Sequence, residues 1–277
     1  MKAINNALDK KTTPKTQSIR SLKMKPISKK QKGCVEDMFR KANETQFEYI
    51  SSEYGQILYK DILRLQPKHW LNDEIINYYG LMLAKRNRTR FIAKHCNCSA
   101  LIMNSYFYTK LCENGYNYAN VCRWTKTVQV QKNNKTKSSM IEELFKKNIE
   151  TIFDFHKVIF PINIDNTHWA CGCLNIRDKR LELYDSMGYQ DIHFFRTMHR
   201  YIKDEIKDKK VQIAIETSWV EYFPDSIPLQ NNSCDCGVFT CKFMDWLCDD
   251  LCPDFDQSNM LEFRAKIAFE IIEKRLI

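Results

Sequence analysis

A chain of 277 residues, 44% hydrophobic and 12% aromatic, is long enough for one large or two small domains and carries enough apolar side chain for a packed core, which excludes a fibrous or wholly disordered protein. No stretch reaches the ~18 uncharged apolar residues of a membrane span, and the start of the chain lacks the apolar segment of a secretory signal. The formal net charge of +9 is local: residues 1–32 hold ten basic residues against the single acid Asp9, and beyond them acids and bases balance, which argues against a nucleic-acid-binding fold with its charge on a folded face.

Residues 1–45 read as a basic, disordered tail, because KKTTPKTQSIRSLKMKPISKKQK is poor in large apolar side chains and cannot offset the entropy of its own ordering. Within it, SKKQK has the composition of a nuclear import signal, with a solvated linker as the plainer alternative. Twelve cysteines without a secretory signal read as reduced thiols of the nucleus or cytoplasm. They include C-x-C pairs in HCNC (95–98), CGC (171–173) and CDC (234–236), and no C-x2-C pair is followed by a second, so no structural zinc site is expected.

WLNDEIINYYGLMLAKR from Trp70 has the pattern of a helix. Asn72 caps it, Asp73 and Glu74 suit its positive end, and Ile75, Ile76, Tyr79, Met82 and Leu83 form an apolar stripe. SYFYTKL from Ser105 and VCRWTK from Val121 are aromatic-rich without a clear period. QKNNKTKSS over 131–139 reads as a solvated loop, followed by a short amphipathic helix around 141–145. KVIFPINI from Lys157, HWACGCLNI from His168 and RLELYDS from Arg180 read as strands, the last two as a hairpin. FFRTMHRYIKDEI from Phe194 has helical spacing, and VQIAI from Val211 reads as a further strand. CGVFTCKFMDWLCDD from Cys236 and SNMLEFRAKIAFEIIEKRL are the last two helices. Helices at both ends of a central group of strands give an α+β fold.

The stretch QNNSCDCGVF singles out one thiol. Cys236 falls where loop passes into helix, beside unsatisfied backbone N–H groups and the positive end of the helix dipole, a placement that favours thiolate. Gly237 lets the backbone approach a substrate closely. A disulfide between Cys234 and Cys236 would be strained, which leaves Cys234 a bystander. His168 at the start of one strand and Asp185 at the end of the next reach the same sheet edge, as a base and its orienting acid require. Gln230 offers an amide donor that would join the Cys236 N–H around an oxyanion.

Taken together and in order, WLND, RWTK, HW, YDSMG and Q-x-N-x-x-D-C-G-x-F resemble the SUMO-specific cysteine proteases, the Ulp1/sentrin-specific protease family, over roughly residues 50–277. The resemblance implies a papain-like α+β fold, a central mixed sheet flanked by helices, in one catalytic domain over 46–277. It implies a triad of His168, Asp185 and Cys236 with Gln230 in the oxyanion hole, and no metal or cofactor. Trp70 and Trp169 would close over the Gly-Gly tail of the modifier, two flat indoles leaving room for no Cβ. Asp73, Tyr106, Arg123 and Trp124 would line the surface that receives its globular part. The implied activity is cleavage after the C-terminal Gly-Gly of SUMO, by a monomeric enzyme whose partners are SUMO and its conjugates, removing it from target lysines and maturing its precursor. The same motifs fit a NEDD8-directed member. The fold alone would fit a module that binds a ubiquitin-like partner without cleaving it, against which the intact triad speaks. The chain departs from the family pattern in a Lys/Asn-rich stretch around 127–154, read as a surface insertion, and in Cys234, where the family more often has Ser.

Overall fold

A computed structural model describes residues 26–125, 151–211, 218–224, 226–251 and 253–277. The chain enters through a helix that composition conceals. The Ser28 hydroxyl accepts from the Gln31 N–H while the Gln31 side chain accepts from the Ser28 N–H, a capping box that starts α1 (Lys29–Glu44). Val35 and Ala42 are buried, and the Ile27 N–H and the Lys32 ammonium both donate to Glu262 near the other end of the chain. The disordered tail expected over 1–45 is corrected here. Residues 29–44 are helical and 26–45 belong to the folded body, because their anchor is a carboxylate more than two hundred positions away. Residues 1–25 lie outside the described residues. SKKQK is the cap and first turn of α1.

The hairpin β1 (Tyr49–Ser52) and β2 (Gly55–Leu58) and the short helix α2 (Tyr59–Ile62) lead to α3 (Asp73–Ile92). Asn72 caps α3 as expected, accepting from the Ile75 N–H. Then come β3 (Ala100–Ile102), α4 (Tyr106–Cys112), β4 (Lys157–Ile164), β5 (His168–Asn175), β6 (Arg180–Tyr184), α5 (Ile192–Lys209), β7 (Val220–Tyr222), α6 (Cys236–Asp249) and α7 (Met260–Glu273). SYFYTKL thus becomes α4. The loop at 131–139, the helix around 141–145 and the insertion up to residue 150 lie outside the described residues, as does most of the strand expected from Val211.

The five-stranded sheet runs β3-β4-β5-β6-β7, antiparallel across β4, β5 and β6 and parallel at both edges, a mixed sheet. Its strands alternate between two cores, as a period of two requires. Ile159, Trp169, Cys171 and Cys173 face α3, α6 and α7, whereas Val158, Phe160, Ile162, Ala170, Leu174 and Leu183 face α4 and α5. Covered on both faces, β5 has seven of its eight residues buried, which is why it reads as an almost continuous apolar run. The helices flanking this mixed sheet make the expected α+β fold.

Candidate active site

Three segments far apart in sequence meet at one end of the sheet. The β5/β6 register pairs Cys171 with Tyr184, so Asp185 stands one step beyond the ladder, diagonal to His168. His168 Nε2 lies 2.9 Å from Asp185 Oδ1. The same oxygen accepts from the Met187 N–H at 2.7 Å, in a turn closed by the Gly188 N–H donating to the Asp185 carbonyl. Gly188 takes φ +76°, where a side chain would be strained, so the glycine of YDSMG lets the chain turn back onto its own carboxylate.

Cys236 opens α6 and is 3% exposed. With Nε2 engaged by Asp185, Nδ1 is the imidazole nitrogen left for the thiol. Burial by itself would lower the His168 pKa. Hydrogen bonding to Asp185 and Cys236, together with their negative charge, outweighs it and raises the value to about 9. The site therefore favours the imidazolium form of His168 beside the Cys236 side chain. Gln230 lies on the same rim with both ends of its amide fixed: Oε1 accepts from Ser186 Oγ at 2.7 Å, and Nε2 donates to the Asn232 carbonyl at 2.6 Å. One Nε2 hydrogen remains for another acceptor.

The two tryptophans differ. Trp70 is 43% exposed, whereas Trp169 is 5% exposed and its Nε1–H donates to the Leu71 carbonyl at 2.9 Å, so one indole is free at the surface and the other is locked to its neighbour's backbone. Leu71 does a second job. A Cβ built on Gly237 would stand 2.8 Å from Leu71 Cβ. Here the reading of Gly237 is corrected: the missing side chain admits Leu71, not substrate. Leu71, Gly237 and Trp169, each the chain neighbour of Trp70, Cys236 or His168, thus interlock.

Of the other candidates, Asp73 accepts from Ser105 Oγ at 2.7 Å. Tyr106 stands exposed beside it, its phenol pKa raised by partial burial and by the charges of Asp73 and Glu74. Arg123 is exposed. Trp124 is half-buried, edge-on to Phe107 with ring centroids 5.8 Å apart, so packing explains part of it. Sequence reasoning missed Ser186, Asn232 and Leu71, which bear no chemical signature, and Arg264, which had one: an arginine on the apolar stripe of the last helix. Among the described residues no group of His, Cys, Asp and Glu is placed to hold a metal ion, and no helix is long and apolar enough to cross a membrane.

Residues 69–276 match the Ulp1 protease family, C-terminal catalytic domain. A sentrin-specific protease of Caenorhabditis elegans is 31% identical over 230 residues, 83% of this chain and 29% of the relative. Sentrin-specific protease 2 of Rattus norvegicus is 32% identical over 234 residues, 83% of this chain and 34% of the relative. The chain therefore spans well under half the length of these relatives. Among solved structures, the C-terminal Ulp1 protease domain in complex with Smt3, the yeast ortholog of SUMO, shares the fold. Its TM-score is 0.64 at 24% identity, over 90% of this chain and 96% of that one.

Proposed function

The chain belongs to the Ulp1 protease family, and from that premise we propose that it is a thiol protease and isopeptidase that cleaves after the C-terminal Gly-Gly of SUMO, freeing it from target lysines and maturing its precursor. The observation that carries this reading is the His168–Asp185 pair, 2.9 Å across, whose imidazole is raised to about 9 beside the Cys236 thiol. The Cys236 thiolate attacks the glycyl carbonyl, and the Gln230 amide, with the Cys236 N–H, stabilises the oxyanion. The His168 imidazolium gives its proton to the leaving amine as the C–N bond breaks. The neutral imidazole then takes a proton from water, whose hydroxide resolves the thioester and releases the modifier and the thiolate. Asp185 orients the ring throughout.

Trp70 and Trp169 serve as the walls of the glycine passage, one fixed and one at the surface. Asp73, Tyr106, Arg123 and Trp124 serve as the seat for the modifier's globular body. Residues 46–277 and the helix before them form the catalytic domain. A nuclear or cytoplasmic location accords with the eleven free thiols of the described residues, and the formal charge balance of residues 33–277 leaves the body of the chain no net positive charge to draw nucleic acid; the enzyme acts as a monomer on its protein partners.

The test is incubation with SUMO, NEDD8 and ubiquitin probes carrying a C-terminal electrophile. Covalent labelling of Cys236 by the SUMO probe is expected. Labelling by the NEDD8 probe alone would replace the modifier and keep the chemistry, and labelling by none of the three would refute the proposal.

A further inference from the structure

Arg264 sits where the period of α7 calls for an apolar residue. Met260, Phe263, Ile267, Ala268 and Ile271 are buried beside it, and Arg264 itself is 2% exposed. Taking a guanidinium out of water is costly unless every donor finds a partner. All five do. Nε donates to Asp235 Oδ1 at 2.8 Å; Nη1 donates to the carbonyls of Arg64 at 3.1 Å and Gln66 at 3.0 Å; Nη2 donates to those of His69 and Cys234, each at 2.8 Å. Asp235 Oδ1 also lies 2.7 Å from Nη2, as counter-ion.

These partners fall into two groups. Arg64, Gln66 and His69 belong to the segment that ends at Trp70, and Cys234 and Asp235 are the two residues before Cys236. Asp235 passes the restraint on. Its Oδ2 accepts from Asn232 Nδ2 at 2.7 Å and Gln257 Nε2 at 2.8 Å, and the Asn232 carbonyl is the acceptor for Gln230 Nε2. One buried cation therefore holds, from behind, the exposed tryptophan, the nucleophile and the oxyanion donor.

We propose that Arg264 is a positioning residue that fixes the separation between the Trp70 segment and the Cys236 turn, and so sets the width of the passage that admits glycine and refuses a Cβ. This rests on the reading of Trp70, Trp169 and Cys236 given above. The role suits Arg and not Lys. A planar fork places five donors against acceptors on both segments, whereas an ammonium carries three donors on one atom and cannot span them.

The test uses the full chain and SUMO ending in Gly-Gly or Gly-Ala, each linked through an amide to a fluorophore. For Arg264→Lys, kcat on the Gly-Gly substrate falls by about 10²-fold, the loss that follows a misplacement of roughly 1 Å. KM stays within about threefold, because the seat of the globular body is untouched. The wild-type preference for Gly over Ala, at least about 10²-fold, shrinks by about tenfold. The last value is decisive, since a ratio of two substrates does not depend on how much enzyme is folded, and a merely destabilised variant keeps it. Ile271→Val, which removes a buried methylene from the same helix, supplies that comparison. Should Arg264→Lys fail to fold, Asp235→Asn keeps the shape of the carboxylate, removes its charge and reads the same ratio. An unchanged preference for Gly in whichever variant folds overturns the role of Arg264. A wild-type protein that cleaves no Gly-Gly substrate overturns the proposed function instead.

Discussion

Gly237→Ala adds one methyl group beside Cys236, the proposed nucleophile. The new Cβ would lie 2.8 Å from Leu71 Cβ, 3.1 Å from Cγ and 3.3 Å from Cδ1, where carbon atoms in ordinary contact sit about 3.5–4.0 Å apart. Relief therefore requires the start of α6 and Leu71 to separate by roughly 1 Å. Leu71 has little room to retreat: it is buried, and its carbonyl holds Trp169 Nε1 at 2.9 Å. Overpacking of this kind costs about 1–3 kcal/mol. At 2 kcal/mol, a domain of this size loses about 4–8 °C of Tm. The catalytic loss is greater, since displacing Cys236 by roughly 1 Å from the passage lowers kcat by about 10²-fold. Turnover of a SUMO–fluorophore amide and a thermal melt measure the two effects. Double variants sharpen the test because the nearest atom is Cβ: Leu71→Ala keeps that carbon and does not restore Gly237→Ala, while Leu71→Gly removes it and restores at least about tenfold of the lost kcat. Full activity and unchanged Tm in Gly237→Ala, or equal rescue by the two Leu71 variants, would refute the reasoning.

Cys236→Ser abolishes turnover and retains modifier binding by calorimetry, whereas Cys234→Ser keeps most of its activity; the opposite outcome reassigns the nucleophile. His168 makes stability depend on pH. Its folded-state pKa is raised from 6.5 to about 9 by Asp185 and Cys236 against the effect of burial, so its contribution is complete below pH 6.5 and is lost as pH rises through about 9. The ring is mostly buried, and at 1.36 kcal/mol per pH unit that span sets a ceiling of about 3 kcal/mol. Denaturant melts between pH 6 and 9.5 should show the decline in the wild type and a flatter profile in Asp185→Asn. Deleting residues 1–45 removes Ile27, Val35 and Ala42 from the core and both donors to Glu262, and lowers Tm by several degrees relative to a chain cut at residue 26. Equal melting of the two truncations would place α1 outside the stable body.

What was legible in the sequence is what local physics fixes. The apolar runs at 157–164, 168–175 and 180–184 are strands at the expected positions, because each packs both faces or alternates by twos. Asn72 caps its helix and Cys236 begins another because caps and helix starts are written within four residues. His168 and Asp185 were placed together by the hairpin between them, a short-range feature. The capping box of Ser28 and Gln31 was equally local, but the basic composition around it outweighed it. The edge strands β3 and β7, three residues each, are too short for a period and exist because neighbours offer them a ladder. Gly237 shows the limit of residue-type reasoning: a missing Cβ signals a close approach without saying of what, and only the packing of α6 on Leu71 supplies the answer. Arg264 shows the same limit for charge. Its place on an apolar stripe marks it as unusual, yet its five acceptors lie about 30 and 200 residues away, and four of the five are backbone carbonyls, which their residues offer regardless of side chain. Backbone acceptors leave no trace in a sequence, so the choice of which loops a buried cation joins belongs to the tertiary fold alone.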